Sequence, residues 1–300
     1  MTSKKMLLRS MMFVPANNSK FIEKALASAA DALILDFEDA VPDEQKDEAR
    51  TILKGYIDDR AFKGSTVFIR TNAMDSPELL RDIECGMHED ITGFMPPKIT
   101  SRNDIVFFEK LLTQKENAHG IAAGHFKLAP LIETTGAVLN LSEILRGNTR
   151  LVALCFGGDD FLGDLHGTYG DPPVAHFTPR AMIAMAARSA GLIPIDTPYL
   201  YLHDIEGLKR EKEQGFELGF GGALLISPRH IDIINKCFTP SKEEAERAQA
   251  ITDAIKRQKN IRSGGGLCIM LGERMIGPPM QRRAEWITEL IELVKAKEGN

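Results

Sequence analysis

Two short apolar runs, each followed by a carboxylate, most constrain what this 300-residue chain can fold into. The runs 129–132 and 151–156 are bounded by turn residues and lead into Glu133 and Asp160. Runs this short and this apolar are typical of strands buried on both faces of a parallel sheet. Apolar residues at helical spacing between 134 and 146 complete a strand–helix–strand unit. Carboxylates at the matching ends of two adjacent strands, roughly 4.8 Å apart, can share one hard cation.

Further apolar runs of the same kind recur along the chain, at 11–14, 32–35, 66–69, 92–95, 192–196 and 222–226. With the first two they form eight strand-then-helix units in about 235 residues, which fits a (β/α)8 TIM barrel in number and length. A doubly wound open sheet is the alternative, but no G-x-G-x-x-G motif follows the first strand. We therefore predict an α/β fold with a TIM-barrel catalytic domain over residues 1–236.

The pattern changes after the barrel units, and residues 237–300 are predicted to form a C-terminal helical extension. A polar helix begins with a capping box from Ser241 to Glu244, and a glycine-rich stretch occupies 261–266. A short hairpin is expected at 268–276 and a last helix from Pro278. We expect this segment to pack on the barrel or on a neighbouring subunit.

Composition excludes several classes of partner. A net charge of −5 without a basic cluster argues against nucleic acid. No apolar run approaches the length of a membrane span, and the first residues lack a signal-peptide core. The cysteines are scattered, without a C-x-x-C pair, so we expect buried thiols in a reducing cytoplasm.

The distribution of polar residues gives the strongest argument for a barrel. Barrel enzymes keep their active sites at the carboxyl ends of the strands. The polar residues that follow predicted strand ends here are Asp36, Glu38, Asp39, Arg70, Asn72, Lys98, Glu133 and Asp160.

Glu133 and Asp160 are the predicted metal ligands. Two carboxylates completed by water and substrate oxygens suit Mg²⁺, which rarely has a cage made of protein alone. The alternative is that both acids cap the helices that follow them. Asp159 is the better capping candidate of its pair, because two consecutive side chains cannot both face the mouth of the barrel.

Arg70 is the candidate clamp for a substrate carboxylate, because its planar guanidinium can hold one in bidentate fashion. A structural ion pair with Asp36, Glu38 or Asp39 is the alternative, and the two roles can coexist. Glu38 and Asp39 would orient Arg70 or hold metal-bound water. Lys98 follows two prolines, and either a substrate contact or a structural ion pair is expected for it.

Longer motifs, in the same order along nearly the whole chain, resemble the citrate lyase β-subunit (CitE-like) and malyl-CoA lyase branch of the HpcH/HpaI aldolase family. They are RS at 9–10 with FVPAN at 13–17 and FIEKA at 21–25, LDFEDAV at 35–41, IRTN at 69–72, PK at 97–98, LIET at 131–134, FGGDD at 156–160, AGLIPID at 190–196 and CFTPS at 237–241.

The resemblance implies a TIM barrel that assembles as homotrimers or hexamers and binds Mg²⁺ through Glu133 and Asp160. Arg70 would bind a 2-oxo acid and help to hold an enolate oxygen, with Glu38 and Asp39 beside it as the catalytic group. The residues expected to bind oxo acid or acyl-CoA are Arg70, Arg9, Pro15, Asn17, Lys20, Lys98, Gly158 and Asp159.

The function implied is a Mg²⁺-dependent carbon–carbon lyase that cleaves a malyl-, citramalyl- or citryl-type thioester into an acetyl thioester and a 2-oxo acid. The thioester would be carried by coenzyme A or by an acyl carrier. Family members with lyase or thioesterase activity typically have an acid/base Asp before the last helix, and here Gly277 occupies that position. Glu273 lies nearby in sequence and is a possible substitute.

The family's His-Pro-Ser-Gln segment after the eighth strand is replaced here by SPRH at 227–230, and Asn18 stands where a basic residue is usual. These departures put coenzyme A recognition in question. The alternative is a divergent CitE-like protein that binds Mg²⁺ and an oxo acid. Its lyase activity would be lost, or shifted to a non-CoA substrate or to thioester hydrolysis.

Overall fold

Nine parallel strands form one curled sheet within residues 8–238 of the computed structural model, which describes residues 6–170, 174–261, 269–271 and 274–299. The spatial order is β5-β4-β3-β2-β1-β9-β8-β7-β6. The strands are β1 (Ser10–Pro15), β2 (Ala32–Asp36), β3 (Val67–Arg70), β4 (Gly93–Met95), β5 (Lys127–Leu128), β6 (Leu131–Ile132), β7 (Ala153–Phe156), β8 (Ile193–Asp196) and β9 (Gly222–Leu225).

Each of the eight apolar runs predicted as strands overlaps a strand of this sheet. All residues of β2, β3 and β7 are buried, as expected for strands covered on both faces. The pairing places Val14 beside Leu35 and Leu35 beside Ile69, so consecutive strands lie side by side with their carboxyl ends together. This common direction brings the residues that follow the strands to one edge of the sheet.

Only the second half of the fifth predicted strand, 129–132, is a strand, β6, and β5 lies before the predicted run. β5 and β6 are separated by Ala129 and Pro130, and proline has no N–H to donate to a neighbouring strand. The N–H of Leu128 donates to the Arg150 carbonyl at 2.9 Å, and the N–H of Val152 donates to the Leu128 carbonyl at 3.0 Å. The two ends of the strand order are therefore successive pieces of one segment, which is consistent with a TIM-barrel-like sheet.

Ten α-helices lie among the described residues of this part of the chain. They are α1 (Ser19–Leu26), α2 (Lys46–Asp58), α3 (Leu79–Cys85), α4 (Arg102–His119), α5 (Thr135–Leu139), α6 (Leu141–Ile144), α7 (Gly158–Leu165), α8 (Val174–Ser189), α9 (Ile205–Leu218) and α10 (Ile231–Cys237). Their apolar faces share one core with the strands, with Ile22, Leu53 and Ile105 among the fully buried residues. In the described residues, no helix has both the length and the apolar character needed to cross a membrane.

Helix α8 begins earlier than the sequence predicts. The sequence predicts a start at Thr178, with Pro179 in the first turn, but the helix runs from Val174 and contains Pro179. A proline inside a helix removes one hydrogen bond, and here tertiary contacts outweigh that cost. The ring of His176, in the added turn, donates to the Gly158 carbonyl and packs edge-on against Phe156.

The described residues from Thr239 onward form a second compact unit together with those before Leu8. It contains α11 (Lys242–Ile261), the antiparallel strands β10 (Ile269–Leu271) and β11 (Arg274–Ile276), and α12 (Pro278–Glu298). The predicted capping box is present, since Ser241 and Glu244 exchange side-chain hydrogen bonds with each other's backbone N–H. Residues 262–268 and Glu273 lie outside the described residues.

Candidate active site

Polar side chains from the ends of four strands and one helix are linked by hydrogen bonds and charge interactions at the carboxyl edge of the sheet. We call this group the mouth cluster. Its members are Asp36, Glu38, Asp39, Arg70, Lys98, Glu133 and Asp160.

Arg70, the last residue of β3, lies at the centre of the mouth cluster. Its Nε and Nη2 donate to the two carboxylate oxygens of Asp36 at 2.7 and 2.6 Å. Its Nη1 lies 3.0 Å from both Glu38 and Asp39, and its guanidinium stacks over the ring of Phe13 at 4.9 Å. Burial lowers the pKa of Arg70, but the hydrogen bonds and charges of these acids outweigh burial and raise it. Arg70 therefore forms the structural ion pairs that were the alternative to a substrate contact.

Glu38 is almost fully buried between two cations. Its carboxylate oxygens lie 3.0 Å from Lys98 Nζ and 3.0 Å from Arg70 Nη1. Burial nevertheless raises the pKa of Glu38, since it outweighs the lowering effect of Arg70 and Lys98. Glu38 is therefore a carboxylate whose proton affinity is increased by its surroundings.

Lys98 contacts two acids with two different groups. Its ammonium pairs with Glu38, and its backbone N–H donates to Glu133 Oε1 at 2.5 Å. The residue has a positive φ of 53°, which is uncommon for a residue with a side chain and typical of functional sites. The structural ion pair predicted as one of two roles for Lys98 is present, and its side chain remains half exposed.

Glu133 follows β6 and is 2% exposed. Burial, and then the charge of Asp160, raises the pKa of Glu133 to about 7. It does not cap the next helix, because the N-cap of α5 is Thr134, whose hydroxyl accepts from the Ala137 N–H at 3.2 Å. The helix-capping alternative for Glu133 is therefore not what the structure shows.

Asp160 lies in the first turn of α7 and its side chain interacts with the mouth cluster. Burial, and then the charge of Asp39, raises the pKa of Asp160, while Lys98 and Arg70 lower it. The preceding Gly157 permits the approach to Glu133, since a Cβ there would lie 2.6 Å from Glu133 Oε2. Strand β6 and helix α7 thus bring two carboxylates together.

The donor set of Glu133 and Asp160 fits a hard divalent cation. Burial and neighbouring acids raise the pKa of both carboxyl groups, although Asp160 is much more exposed than Glu133. In the described part of the chain, no group of three or more His, Cys, Asp or Glu side chains could hold a metal. Two carboxylates completed by water and substrate match Mg²⁺, which is usually held by one or two protein carboxylates.

A family model described as HpcH/HpaI aldolase/citrate lyase matches residues 9–228. The chain belongs to this family. It is 32% identical over 285 residues to the citrate lyase subunit beta of Leuconostoc mesenteroides subsp. cremoris, covering 95% of this chain and 93% of that protein. It is 30% identical over 265 residues to a (3S)-malyl-CoA thioesterase of Cereibacter sphaeroides, covering 88% of each chain.

Among solved structures, the protein CitE from Mycobacterium tuberculosis in complex with magnesium, acetoacetate and coenzyme A aligns with a TM-score of 0.71 at 25% identity. The alignment covers 95% of this chain and 98% of that one. The resemblance seen in the sequence motifs is thereby confirmed. Members of the HpcH/HpaI family bind magnesium, and the named relatives are a lyase subunit and a thioesterase.

Arg9 is not brought to the mouth cluster. It precedes β1 and therefore lies at the amino edge of the parallel sheet, opposite the site. Its Nε and Nη2 donate to the carboxylate of Asp31 at 2.9 and 3.1 Å, and both side chains are almost fully buried. This placement argues against the predicted substrate contact and assigns Arg9 a structural ion pair.

The other expected binding residues lie towards the carboxyl edge. Pro15 ends β1, and the Asn17 amide donates to Gln45 Oε1 at 2.6 Å. Lys20 is exposed in the first turn of α1. Gly158 is buried as the first residue of α7, and Asp159 is exposed beside it. Asp159 lines a cleft of about 680 Å³ next to the end of β8, together with His176 and Thr197.

Two residues near α7 were missed from the sequence. Thr197 directly follows β8, and His176 lies in the turn of α8 that was not expected to be helical. Both hydrogen-bond to Gly158. Thr197 carried a usable signal, because it stands immediately after a strand end, whereas nothing in the sequence places His176 near α7.

Proposed function

We propose that this protein is a Mg²⁺-dependent carbon–carbon lyase. It would cleave a short β-hydroxyacyl thioester, such as a malyl-, citramalyl- or citryl-CoA, into an acetyl thioester and a 2-oxo acid. The observation that carries the proposal is the pair of neighbouring carboxylates, Glu133 and Asp160, whose pKa values are raised and which interact with the guanidinium of Arg70. The similarity to a citrate lyase subunit and to a CitE complex with magnesium and coenzyme A supports it.

We further propose the architecture that this function needs. Residues 1–236 would form a complete (β/α)8 barrel, and residues 237–300 an extension that packs on the barrel or on a neighbouring subunit of a homotrimer or hexamer. The hydrogen bonds that join Leu128 to residues 150 and 152 support the closed barrel.

Glu133 and Asp160 would hold the metal, which when bound supplies a Lewis acid for substrate oxygens. The Lys98 backbone N–H fixes one oxygen of Glu133, so that carboxylate is oriented before any ligand arrives. Gly157 keeps the first turn of α7 close to Glu133 because it has no side chain. The protein therefore contributes a pre-arranged pair of acids.

Arg70 would bind the carboxylate of the oxo-acid half through Nη1. Its Nε and Nη2 are committed to Asp36, which fixes the guanidinium plane. Nη1 lies 3.0 Å from both Glu38 and Asp39, and of these two only Asp39, at 63% exposed, can be displaced by an incoming carboxylate. Arg70 would therefore offer a substrate the one N–H that Asp39 releases, not the bidentate contact predicted from the sequence.

Glu38 is our candidate for the proton acceptor. In the cleavage step the hydroxyl loses its proton, the carbon–carbon bond breaks, and the electron pair passes to the thioester enolate. Burial raises the pKa of Glu38, which favours proton uptake, and Lys98 and Arg70 hold its two oxygens in place. The enolate carbon must then gain a proton from a second acid.

The test is calorimetric titration of Mg²⁺-loaded protein with oxaloacetate, pyruvate and glyoxylate, each with and without acetyl-CoA. We expect Mg²⁺-dependent binding that tightens with acetyl-CoA, and product formation from the matching thioester. Glu133→Ala should abolish both, whereas Glu143→Ala, which removes an exposed acid on α6, should change neither. Retro-aldol activity that survives Glu133→Ala undiminished would overturn the proposal.

A second candidate function is favoured by Gly277. The family resemblance places an acid/base Asp at this position, and glycine has no proton to give. The candidate is binding of Mg²⁺ and an oxo acid with thioester cleavage lost, or shifted to a non-CoA substrate or to thioester hydrolysis. Oxo-acid binding that ignores acetyl-CoA would favour it over the lyase.

The Gly277→Asp variant separates the two. Gly277 has φ −115° and ψ 178°, an extended conformation that any residue adopts, so the aspartate requires no backbone change. If the missing acid limits cleavage, the variant should release more oxo acid from a malyl-type thioester. An equal rate in both proteins would count against this second candidate. Free CoA without oxo acid would indicate hydrolysis.

A further inference from the structure

Gly158, two residues before Asp160, is held from both sides of its backbone. Its N–H donates to Thr197 Oγ1 at 3.0 Å, and its carbonyl lies 3.0 Å from His176 Nε2. Thr197 follows β8 and His176 belongs to α8, so residues of two other elements hydrogen-bond to the first residue of α7. A Cβ at position 158 would lie 2.5 Å from Thr197 Oγ1, which only glycine avoids.

Thr197 is itself fixed by a buried group of charges. Its N–H donates to Asp196 Oδ1 at 2.9 Å, and its carbonyl accepts from Lys212 Nζ at 2.7 Å. Asp196 in turn accepts two hydrogen bonds from Arg180, at 2.9 and 2.7 Å. These side chains are nearly or completely buried, so the turn after β8 is rigid.

His176 provides the second contact with Gly158. Its ring packs edge-on against Phe156, with centroids 5.7 Å apart. Burial lowers the pKa of His176, so the ring is neutral at physiological pH and carries one N–H. Because the Gly158 carbonyl can only accept, that proton is on Nε2.

We propose that Thr197 and His176 are positioning residues for Asp160. Neither belongs to the mouth cluster, but together they fix the first turn of α7, whose Asp160 must stay beside Glu133. This inference rests on the proposed metal site. It attributes the placement of Asp160 to Thr197 and His176, which lie outside the residues that would touch the metal.

The test compares Thr197→Val with Thr197→Ser in the full-length protein. Valine keeps the shape but removes the acceptor for the Gly158 N–H, whereas serine retains it. The chain offers a matched control in Thr92→Val, because the Val67 N–H donates to Thr92 Oγ1, also at 3.0 Å, at the opposite edge of the sheet. Mg²⁺ affinity is measured by calorimetry, and amide exchange of residues 158–161 is measured in metal-free protein.

We expect Thr197→Val to weaken Mg²⁺ binding about 10-fold, as loss of a group that supports a ligand typically does. Exchange of the α7 amides should accelerate, and Thr197→Ser and Thr92→Val should stay close to the wild type in both readouts. A second pair, His176→Phe and His176→Gln, should follow the same pattern, since glutamine keeps a donor. If valine at position 197 prevents folding, the two His176 variants test the inference instead.

Wild-type Mg²⁺ affinity and unchanged α7 exchange in Thr197→Val would overturn the inference, as would equal weakening by Thr92→Val. A wild-type protein that binds no Mg²⁺ would defeat the proposed function instead. Even then, the exchange measurement in metal-free protein decides whether Thr197 fixes the turn that carries Asp160.

Discussion

Burial and the charge of Asp160 disfavour the ionised form of Glu133, and this makes the stability of the metal-free protein depend on pH. The pKa of Glu133 in the folded state is raised from 4.5 to about 7. Between these values the folded protein holds a proton that the unfolded chain has lost, so stability falls as pH rises through this window. The stabilising contribution is complete below pH 4.5, and about 3 kcal/mol is lost once the pH exceeds 7.

We predict that Glu133→Gln reduces this pH dependence. Urea unfolding in the presence of a chelator, at about pH 5 and about pH 8, should show a smaller difference for the variant than for the wild type. A part of the slope should remain, because the pKa values of Glu38 and Asp160 are also raised. Glu143→Gln, at an exposed glutamate, should keep the wild-type slope. An unchanged slope in Glu133→Gln would contradict the burial argument.

Sequence reasoning identified the individual acids and bases of the mouth cluster but not all of their contacts. Positions after strand ends predicted Arg70, Lys98, Glu133 and Asp160, because parallel strands present their carboxyl ends together. Arg9 was assigned from its motif, although its place before β1 already puts it at the other edge of the sheet. Asp36, Glu38 and Asp39 were named as possible partners of Arg70, but that Asp36 holds both Nε and Nη2 depends on side-chain packing that no spacing encodes.

At the scale of elements, the close approach of β6 and α7 should depend on Gly157. A Cβ there would lie 2.6 Å from Glu133 Oε2 and 2.7 Å from Glu133 Cβ, so Gly157→Ala forces the two elements apart. We expect a loss of about 1–3 kcal/mol in the free energy of unfolding, as for other overpacked sites. Mg²⁺ binding should weaken together with it.

The control for this prediction lies in the same helix. A methyl group added at Gly163 in α7 would meet no atom within 4 Å, so Gly163→Ala should stabilise the protein by about 0.5–1 kcal/mol. Chemical denaturation and calorimetry of both variants check the pair. Destabilisation by Gly163→Ala, or none by Gly157→Ala, would show that the contact with Glu133 is not the cause.

Element boundaries were predictable where hydrophobic runs decide them and not where single residues compete with tertiary contacts. The eight strands follow from buried runs. The predicted run 129–132 is a strand only after Pro130, as β6, and Pro179 indicated a helix start although α8 begins four residues before Thr178. In both cases the proline lacks one backbone hydrogen bond, and contacts with residues distant in sequence decide where the strand or helix begins.

At the scale of the whole molecule, the separate apolar cores of the described residues on either side of Thr239 predict regions of separate stability. Ile251 and Ile287 belong to a cluster within 239–299, whereas Leu53 belongs to the core around the nine-stranded sheet. Truncation of a buried isoleucine or leucine to alanine costs about 2–5 kcal/mol. Each substitution should therefore weaken its own unit.

Hydrogen exchange measured by mass spectrometry checks this prediction. Ile287→Ala should accelerate exchange in α11 and α12 and leave the strands of the sheet unchanged, while Leu53→Ala should do the reverse. Acceleration of both regions by either substitution would show that the chain unfolds as one cooperative body. The sequence indicated the change of pattern after the barrel units, because the apolar runs stop there, but not which residues form the second core.

The conformation of Gly277 has a consequence for the evolutionary history of such chains. Its backbone is extended, it precedes α12 as the N-cap, and no side chain caps that helix. Aspartate is among the preferred residues at an N-cap, so helix initiation does not penalise it there. Neither the backbone conformation nor the helix cap therefore opposes an exchange of glycine and aspartate at this position during evolution.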